Sequence, residues 1–300
     1  MSHLHLDLKV VCFGEILWDV LPEVVLPGGA PMNVAYHLKK LGHNPALITR
    51  IGHDDFGKRL VELMEKYRIS TEYFQIDYRL QTGKVKANIN GNETTYEIIS
   101  PVAWDNINWD DSFNALLQDA QYFVFGSLCA RNEQSRETLF QLLQTAKNKV
   151  LDINLRSPFF NKSILEHLLS RTDILKLNDA ELELLTGWFS PFLLEEDRLR
   201  SLQNKFKIPI IVLTKGAEGA VLLHSDKIYK CQGFNVKVID TIGSGDAFLA
   251  GFLSHLMKDY TPYEALLNAN SMGALIATYQ GACPSYESKE INQLVANVSI

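Results

Sequence analysis

The chain has 300 residues, 46% apolar and 21% charged, a balance ordinary for a globular protein with a sizeable core in one large domain or two smaller ones. Its formal net charge of −6 disfavours nucleic acid or an anionic membrane surface as the main partner. No apolar run reaches the ~18 residues of a membrane span, and the opening MSHLHLDLKVV lacks the basic-then-apolar order of a secretion signal. Cys12, Cys129, Cys231 and Cys283 lie far apart, without zinc-site spacing, and read as reduced thiols of a cytoplasmic protein.

In chain order, the run from Val10 to Phe13 predicts a buried strand ending in Gly14-Glu15. A Pro/Gly-rich stretch over 22–31 precedes helical spacing from Asn33 to Leu41. ALITRIG (46–52) predicts a strand, and GKRLVELMEKY (57–67) a helix. Residues 82–99 change character: they alternate, with Asn90-Gly91 as a hairpin signal, and fit a small lid better than the main sheet. Continuous apolar runs then recur at 122–128, 149–155, 174–178 and 208–216. Such runs suit parallel strands covered on both faces, with helices between them. Ligands bind beyond the carboxyl ends of such strands, which singles out Asp19, Asn154, Arg156, Asn178 and the Thr214-Lys215-Gly216 run.

VIDTIGSGDAFLA (238–250) carries the most chemistry. A strand-like run ends at Asp240, Gly243-Ser244-Gly245 turn, and Asp246 opens an apolar helix. Glycines let backbone approach a ligand, and a helix start offers free N–H groups to a phosphate. A carboxylate there repels an anion unless Asp246 is a base beside a reacting phosphate, which is phosphoryl transfer to a hydroxyl; a tight turn with a capping acid is the plainer alternative. Gly28-Gly29 likewise reads as a turn, or as a backbone against which a polyol lies while Asp19 and Asn33 bond its hydroxyls. Asn178-Asp179-Ala180-Glu181 reads as a helix cap, or as a site where Glu181 helps hold Mg²⁺ through water. GHDDFGKR (52–59) matches GxxxxGK[ST] except for Arg59, and Asp54 and Asp55 would put two negative charges in a phosphate cradle, so it is not a P-loop. No GxGxxG follows a strand, which removes support for a nicotinamide dehydrogenase.

Taken together, GGAPMN (28–33) and DTIGSGD (240–246) closely resemble the two signatures of the PfkB (ribokinase-like) carbohydrate kinases. IGHDDFG (51–57), NDAE (178–181) and TKGAEG (214–219) extend the resemblance almost end to end. It implies one kinase domain over 1–300: a Rossmann-like α/β fold with a central, mostly parallel sheet flanked by helices, and a small β lid from about 16–30 and 80–102. It implies ATP as donor and Mg²⁺ as cofactor, with Asp246 as base and the amides of Gly243, Ser244 and Gly245 as anion hole. Ser244 stands where the family usually has alanine, which leaves the backbone donors intact. Asp19, Gly28, Gly29, Asn33 and Arg156 fall at the sugar, and Asn178, Thr214, Lys215, Gly216 and Gly219 at the nucleotide. Glu181 falls at Mg²⁺, and Asp240, Ile242, Gly281 and Ser285 where members bind K⁺ through carbonyls. GEILWDVLP (14–22) and DINLR (152–156) are most similar to fructokinases, although 2-keto-3-deoxygluconate kinases share much of this. Arg156 suits a phosphate or a substrate carboxylate equally. Other sugar or nucleoside kinases of the family, and a non-catalytic sugar-binding protein on the same scaffold, are the alternatives. The resemblance also allows a homodimer through the lid.

Overall fold

In β1 (Lys9–Phe13), Val10 and Cys12 alternate with Val11 and Phe13, and all four are buried, which requires cover on both faces. The computed structural model, which describes residues 9–90, 93–191 and 193–296, shows what supplies that cover. After β1 come β2 (Leu17–Val20), β3 (Val25–Gly28), α1 (Ala30–Lys40), β4 (Asn44–Gly52) and α2 (Asp55–Tyr67). Next are β5 (Phe74–Asp77), β6 (Gly83–Asn90), β7 (Glu93–Ile98), α3 (Ser112–Asp119) and β8 (Ala120–Gly126). Strands and helices then alternate through α4 (Glu133–Thr145), β9 (Lys149–Asp152), α5 (Lys162–Leu169), β10 (Ile174–Asn178), α6 (Asp179–Gly187), α7 (Glu195–Phe206) and β11 (Ile210–Thr214). The chain closes with β12 (Ala220–His224), β13 (Lys227–Cys231), α8 (Ser244–Leu256), α9 (Pro262–Ile276) and α10 (Ser288–Ala296).

The main sheet has nine strands in the order β13-β12-β11-β10-β9-β8-β1-β4-β5. All its pairings from β5 to β11 are parallel, and β12 and β13 extend it antiparallel. Helices α1, α2, α8, α9 and α10 pack with Val10 and Cys12 on one face, and α3 to α7 with Val11 and Phe13 on the other. The expected mostly parallel α/β sheet is therefore what forms. Because β1 lies between β4 and β8, the chain first winds one way and then the other. Open sheets place their ligand crevice at such a reversal, beyond the strand ends.

The second sheet, order β3-β2-β6-β7, joins two distant segments. β2 runs antiparallel to β3 and parallel to β6, and β6 pairs antiparallel with β7. The alternation over 82–99 thus becomes strands, although Gly91 of the hairpin signal lies outside the described residues. So does most of the opening segment read for a secretion signal.

Two local readings change. Asp240 ends no strand: residues 232–239 lie outside the strands, Ile239 N and Asp240 N donate to Ala277 O (2.8 and 3.3 Å), and Val238 and Ile239 are 56% and 63% exposed. Val238 lines a cavity rather than a sheet. The P-loop lookalike is a capped turn. Asp54 accepts from Gly57 N (2.8 Å) and from both N and Oγ1 of Thr82 (2.8 and 2.7 Å), and a Cβ on Gly57 would lie 2.2 Å from Gly52 O. A carboxylate already fills the place a phosphate would need.

Candidate active site

Gly243 adopts φ +78°, a left-handed conformation that glycine takes without strain, and so turns the chain into α8. A Cβ there would also sit 2.5 Å from Cα and Cβ of Ala282, so only glycine lets the two loops touch. The turn places Asp246 in the first turn of α8, buried at 9% exposure, where α1 meets α8. Asn33 Nδ2 donates to Asp246 Oδ2 at 2.7 Å. Burial, and next the charge of Asp152, push the Asp246 carboxyl up to about 7, against the opposing pull of Lys176, Asn33 and Arg156. A carboxylate poised near neutrality can both lose and take a proton at working pH.

Two cavities meet at this turn. The first, about 770 Å³, is lined by Asp246, Gly243, Gly245, Asp19, Gly29, Asn33 and Arg156, with Glu15, Lys176 and Phe159 added. Val85, Glu97 and Ile98 of the small sheet wall its far side. The second, about 460 Å³, is lined by Thr214, Gly216, Gly219, Ser244, Gly245, Val236, Val238 and Phe248, a mostly apolar slot. Thr241 and Gly245 belong to both. A group held in each cavity would therefore approach the other across the glycine turn, beside Asp246.

Not every expected residue reaches a cavity. Gly28 does not line one: a Cβ there would meet Asp19 Oδ2 at 2.5 Å, and at Gly29 (φ +110°) it would meet Glu15 O at 2.4 Å. The glycine pair thus lets this backbone close on its own β2 segment, and only Gly29 faces the cavity. The Ser244 amide already donates to Thr241 O at 3.2 Å, while Ser244 Oγ is buried with no partner. Asn178 and Lys215 line neither cavity. Asn178 and Glu181 form a reciprocal cap on α6 (both bonds 2.9 Å), and Lys215 pairs with Glu195. Asp240 accepts from Ile242 N (3.0 Å) and Gly281 N (2.9 Å), tying the glycine turn to the loop that begins at Gly281; Ser285 is exposed farther along that loop.

Asp19 is pushed up to about 6 by burial, with Arg156 opposing and Asp240 adding to the rise. Arg156 is exposed at the mouth of the first cavity.

Beneath the turn lies a charge cluster in which Asp246 and Glu181 were expected but Lys176 and the role of Asp152 were not. Lys176, only 7% exposed, pairs with Asp152 Oδ2 at 2.7 Å, and a Cβ on Gly245 would come within 3.0 Å of its Nζ. Burial alone would lower the Lys176 ammonium, but Asp152, with Asp246 and Glu181, outweighs it and holds the lysine charged. The sequence signal was a lysine inside the apolar run ILKLN. Glu181 accepts from Leu155 N at 2.8 Å as well as Asn178 N, and burial and then Asp152 raise its carboxyl. Asp152 Oδ1 is buried without a partner. Three acids against one lysine, with an orphaned carboxylate oxygen, is a donor set that fits a hydrated divalent cation. No ready-made cage of three or more His, Cys, Asp or Glu exists among the described residues. No described helix is long and apolar enough to cross a membrane.

The pfkB family carbohydrate kinase model matches residues 9–289. The chain is 30% identical to "Probable fructokinase-7" of Arabidopsis thaliana, over 95% of this chain and 91% of the relative. Among solved structures, the fructokinase of Xylella fastidiosa with bound ATP superposes with TM-score 0.88 at 22% identity, covering 97% of this chain and 99% of that one. The fructokinase of Vibrio cholerae O395, in a form with fructose, ADP and calcium ion bound, gives 0.83 at 25% identity, covering 97% and 99%.

Proposed function

The chain belongs to the pfkB family of carbohydrate kinases, and on that premise we propose that it is an ATP-dependent fructokinase. The observation that carries this reading is the junction of two cavities at a glycine turn beside a buried carboxylate held near neutrality. Fructose takes the first cavity, where Asp19, Asn33 and the Gly29 backbone bond its hydroxyls. ATP takes the second, its base in the apolar slot and its phosphates toward the amides of Gly243 and Gly245.

Asp246 accepts the proton of a primary hydroxyl as that oxygen forms a bond to the γ-phosphorus and the bond to ADP breaks in line. Fixed amides and Lys176 offset charge on the transferring group without reorganising. Bound Mg²⁺ would neutralise phosphate charge; Asp152 and Glu181 would hold it through water. Carbonyls of Asp240, Ile242, Gly281 and Ser285 would hold K⁺ where Asp240 ties the two loops. The small sheet acts as a lid that excludes water from the sugar, and offers a surface for a homodimer.

Fructose is favoured over a sugar acid because four acids, Glu15, Asp19, Glu97 and Asp246, line the first cavity against two cations, Lys176 and Arg156. Arg156 at its mouth is the observation behind the second reading, a 2-keto-3-deoxygluconate kinase. A panel of fructose, 2-keto-3-deoxygluconate, ribose and adenosine with coupled ADP detection tests both. Fructose is expected to give the highest kcat/KM. Preference for deoxygluconate would replace the substrate, and sugar binding without ADP release would leave a non-catalytic binding protein.

A further inference from the structure

The loop beginning at Gly281 touches the glycine turn, and α1 grips it at several points. Tyr36 donates its hydroxyl to Pro284 O at 2.6 Å. His37, wholly buried, lies 2.9 Å from Ala282 O and 3.0 Å from the Tyr286 hydroxyl. A carbonyl can only accept, so Nε2 carries the proton and Nδ1 accepts from the tyrosine. Between these anchors the Cys283 thiol lies 3.4 Å from Asn33 Oδ1, and the other end of the same amide donates to Asp246 Oδ2 at 2.7 Å. Three residues from three separate segments form one line ending at the carboxylate.

We propose that Cys283 is a positioning residue for phosphoryl transfer: its S–H holds the Asn33 amide so that Nδ2 always faces Asp246 Oδ2, and the incoming proton is left to Oδ1. This rests on the reading of Asp246 as the base. A terminal amide has two rotamers of similar intrinsic energy. While Asp246 is ionised, its charge selects the donating one. Once Asp246 carries a proton, it could itself donate to a flipped Asn33 oxygen, and the base would reset slowly or with a raised proton affinity. A thiol donor on Oδ1 opposes the flip in both states. An amide oxygen can only accept, so the donor in the 3.4 Å contact is the Cys283 S–H. The other charged groups facing Asp246 are Asp152, Lys176 and Arg156, and none of them is bonded to the Asn33 amide.

The test measures fructose-dependent ADP release across the pH range for wild type, C283A, C283S and D246N, with melting temperatures and sugar KM alongside. Loosening Asn33 removes a donor to the ionised carboxylate, so in C283A the acid limb moves up by about half a unit to one unit, a roughly three- to tenfold loss on the acid side that shrinks to under about twofold on the alkaline side. C283S, with a shorter bond but a donor in place, recovers most of that loss. An acid limb in C283A that superimposes on wild type would overturn the proposal, as would equal losses in C283A and C283S at every pH, which indicate packing alone. A wild type that releases ADP with no sugar, or a D246N variant as active as wild type, would overturn the reading of the base and this proposal with it. An active wild type, a dead D246N and an unshifted C283A would overturn this proposal alone.

Discussion

Gly243→Ala probes the glycine turn with a single methyl group. At φ +78° an L-residue costs about 1–2 kcal/mol relative to its favoured conformations. The added Cβ would lie 2.5 Å from Cα and Cβ of Ala282, whereas carbon atoms rest about 3.5–4.0 Å apart. About 1 Å of separation must therefore be found. Ala282 is poorly placed to give it, because its carbonyl is bonded to His37 and the neighbouring Gly281 amide to Asp240. The turn carrying the proposed anion hole moves instead. A 1 Å misplacement costs on the order of 100-fold in rate, so kcat is expected to fall by about that factor while sugar KM changes little. Gly42→Ala is the matched control: φ is +90°, but no atom lies within 4 Å of the point its added methyl would occupy, so it suffers the backbone penalty alone. Steady-state ADP release and thermal melts on both variants make the comparison. Near wild-type kcat in G243A, or an equal loss in G42A, would refute the reasoning.

Other consequences follow from the buried charges. With the Asp246 carboxyl near 7 and the ionised form active, kcat/KM should rise with pH through about 7 and level off above it; a limb near 4 in a pH–rate profile would show that burial does not set this group. Lys176→Met leaves Asp152 buried without its counter-charge, so urea melts should show a loss of about 3–5 kcal/mol, and a change below about 1 kcal/mol would mean the pair is not isolated from water. Burial holds the His37 imidazole down to about 4, below its unfolded value of about 6.5. The unfolded chain then binds the proton first, so this contribution to stability is complete above about 6.5 and is lost as pH falls through about 4. His37→Gln, which can still donate to Ala282 O and accept from Tyr286, should flatten that part of the melting-temperature profile; an unchanged acid slope would contradict the assignment.

The sheet was legible because continuous apolar runs such as those of β8 and β11 have one physical reading, burial on both faces. The antiparallel β12 and β13 were not, since one is a four-residue buried run and the other a short, half-exposed one, and neither carries enough signal to separate it from its neighbouring turns. The exposed apolar residue Val238 misled for a related reason: a cavity lining and a strand share the same composition. At the site, Asp246, Asp19, Asn33 and Gly29 were readable from motifs and do line one cavity. Lys176 and Asp152 were not readable by role, because their pairing joins β9 to β10 and exists only in the folded sheet. Asn178 and Lys215 show the converse. Their residue types fit a nucleotide site, yet the cap on α6 and the pair with Glu195 use them first.

Asp246→Asn tests the central claim most directly, because it keeps the shape of the side chain and removes the base. Fructose-dependent turnover should fall by about 10²–10⁴-fold with sugar affinity nearly unchanged. Turnover close to wild type, at unchanged sugar affinity, would mean that Asp246 is not the base and that the glycine turn serves another chemistry.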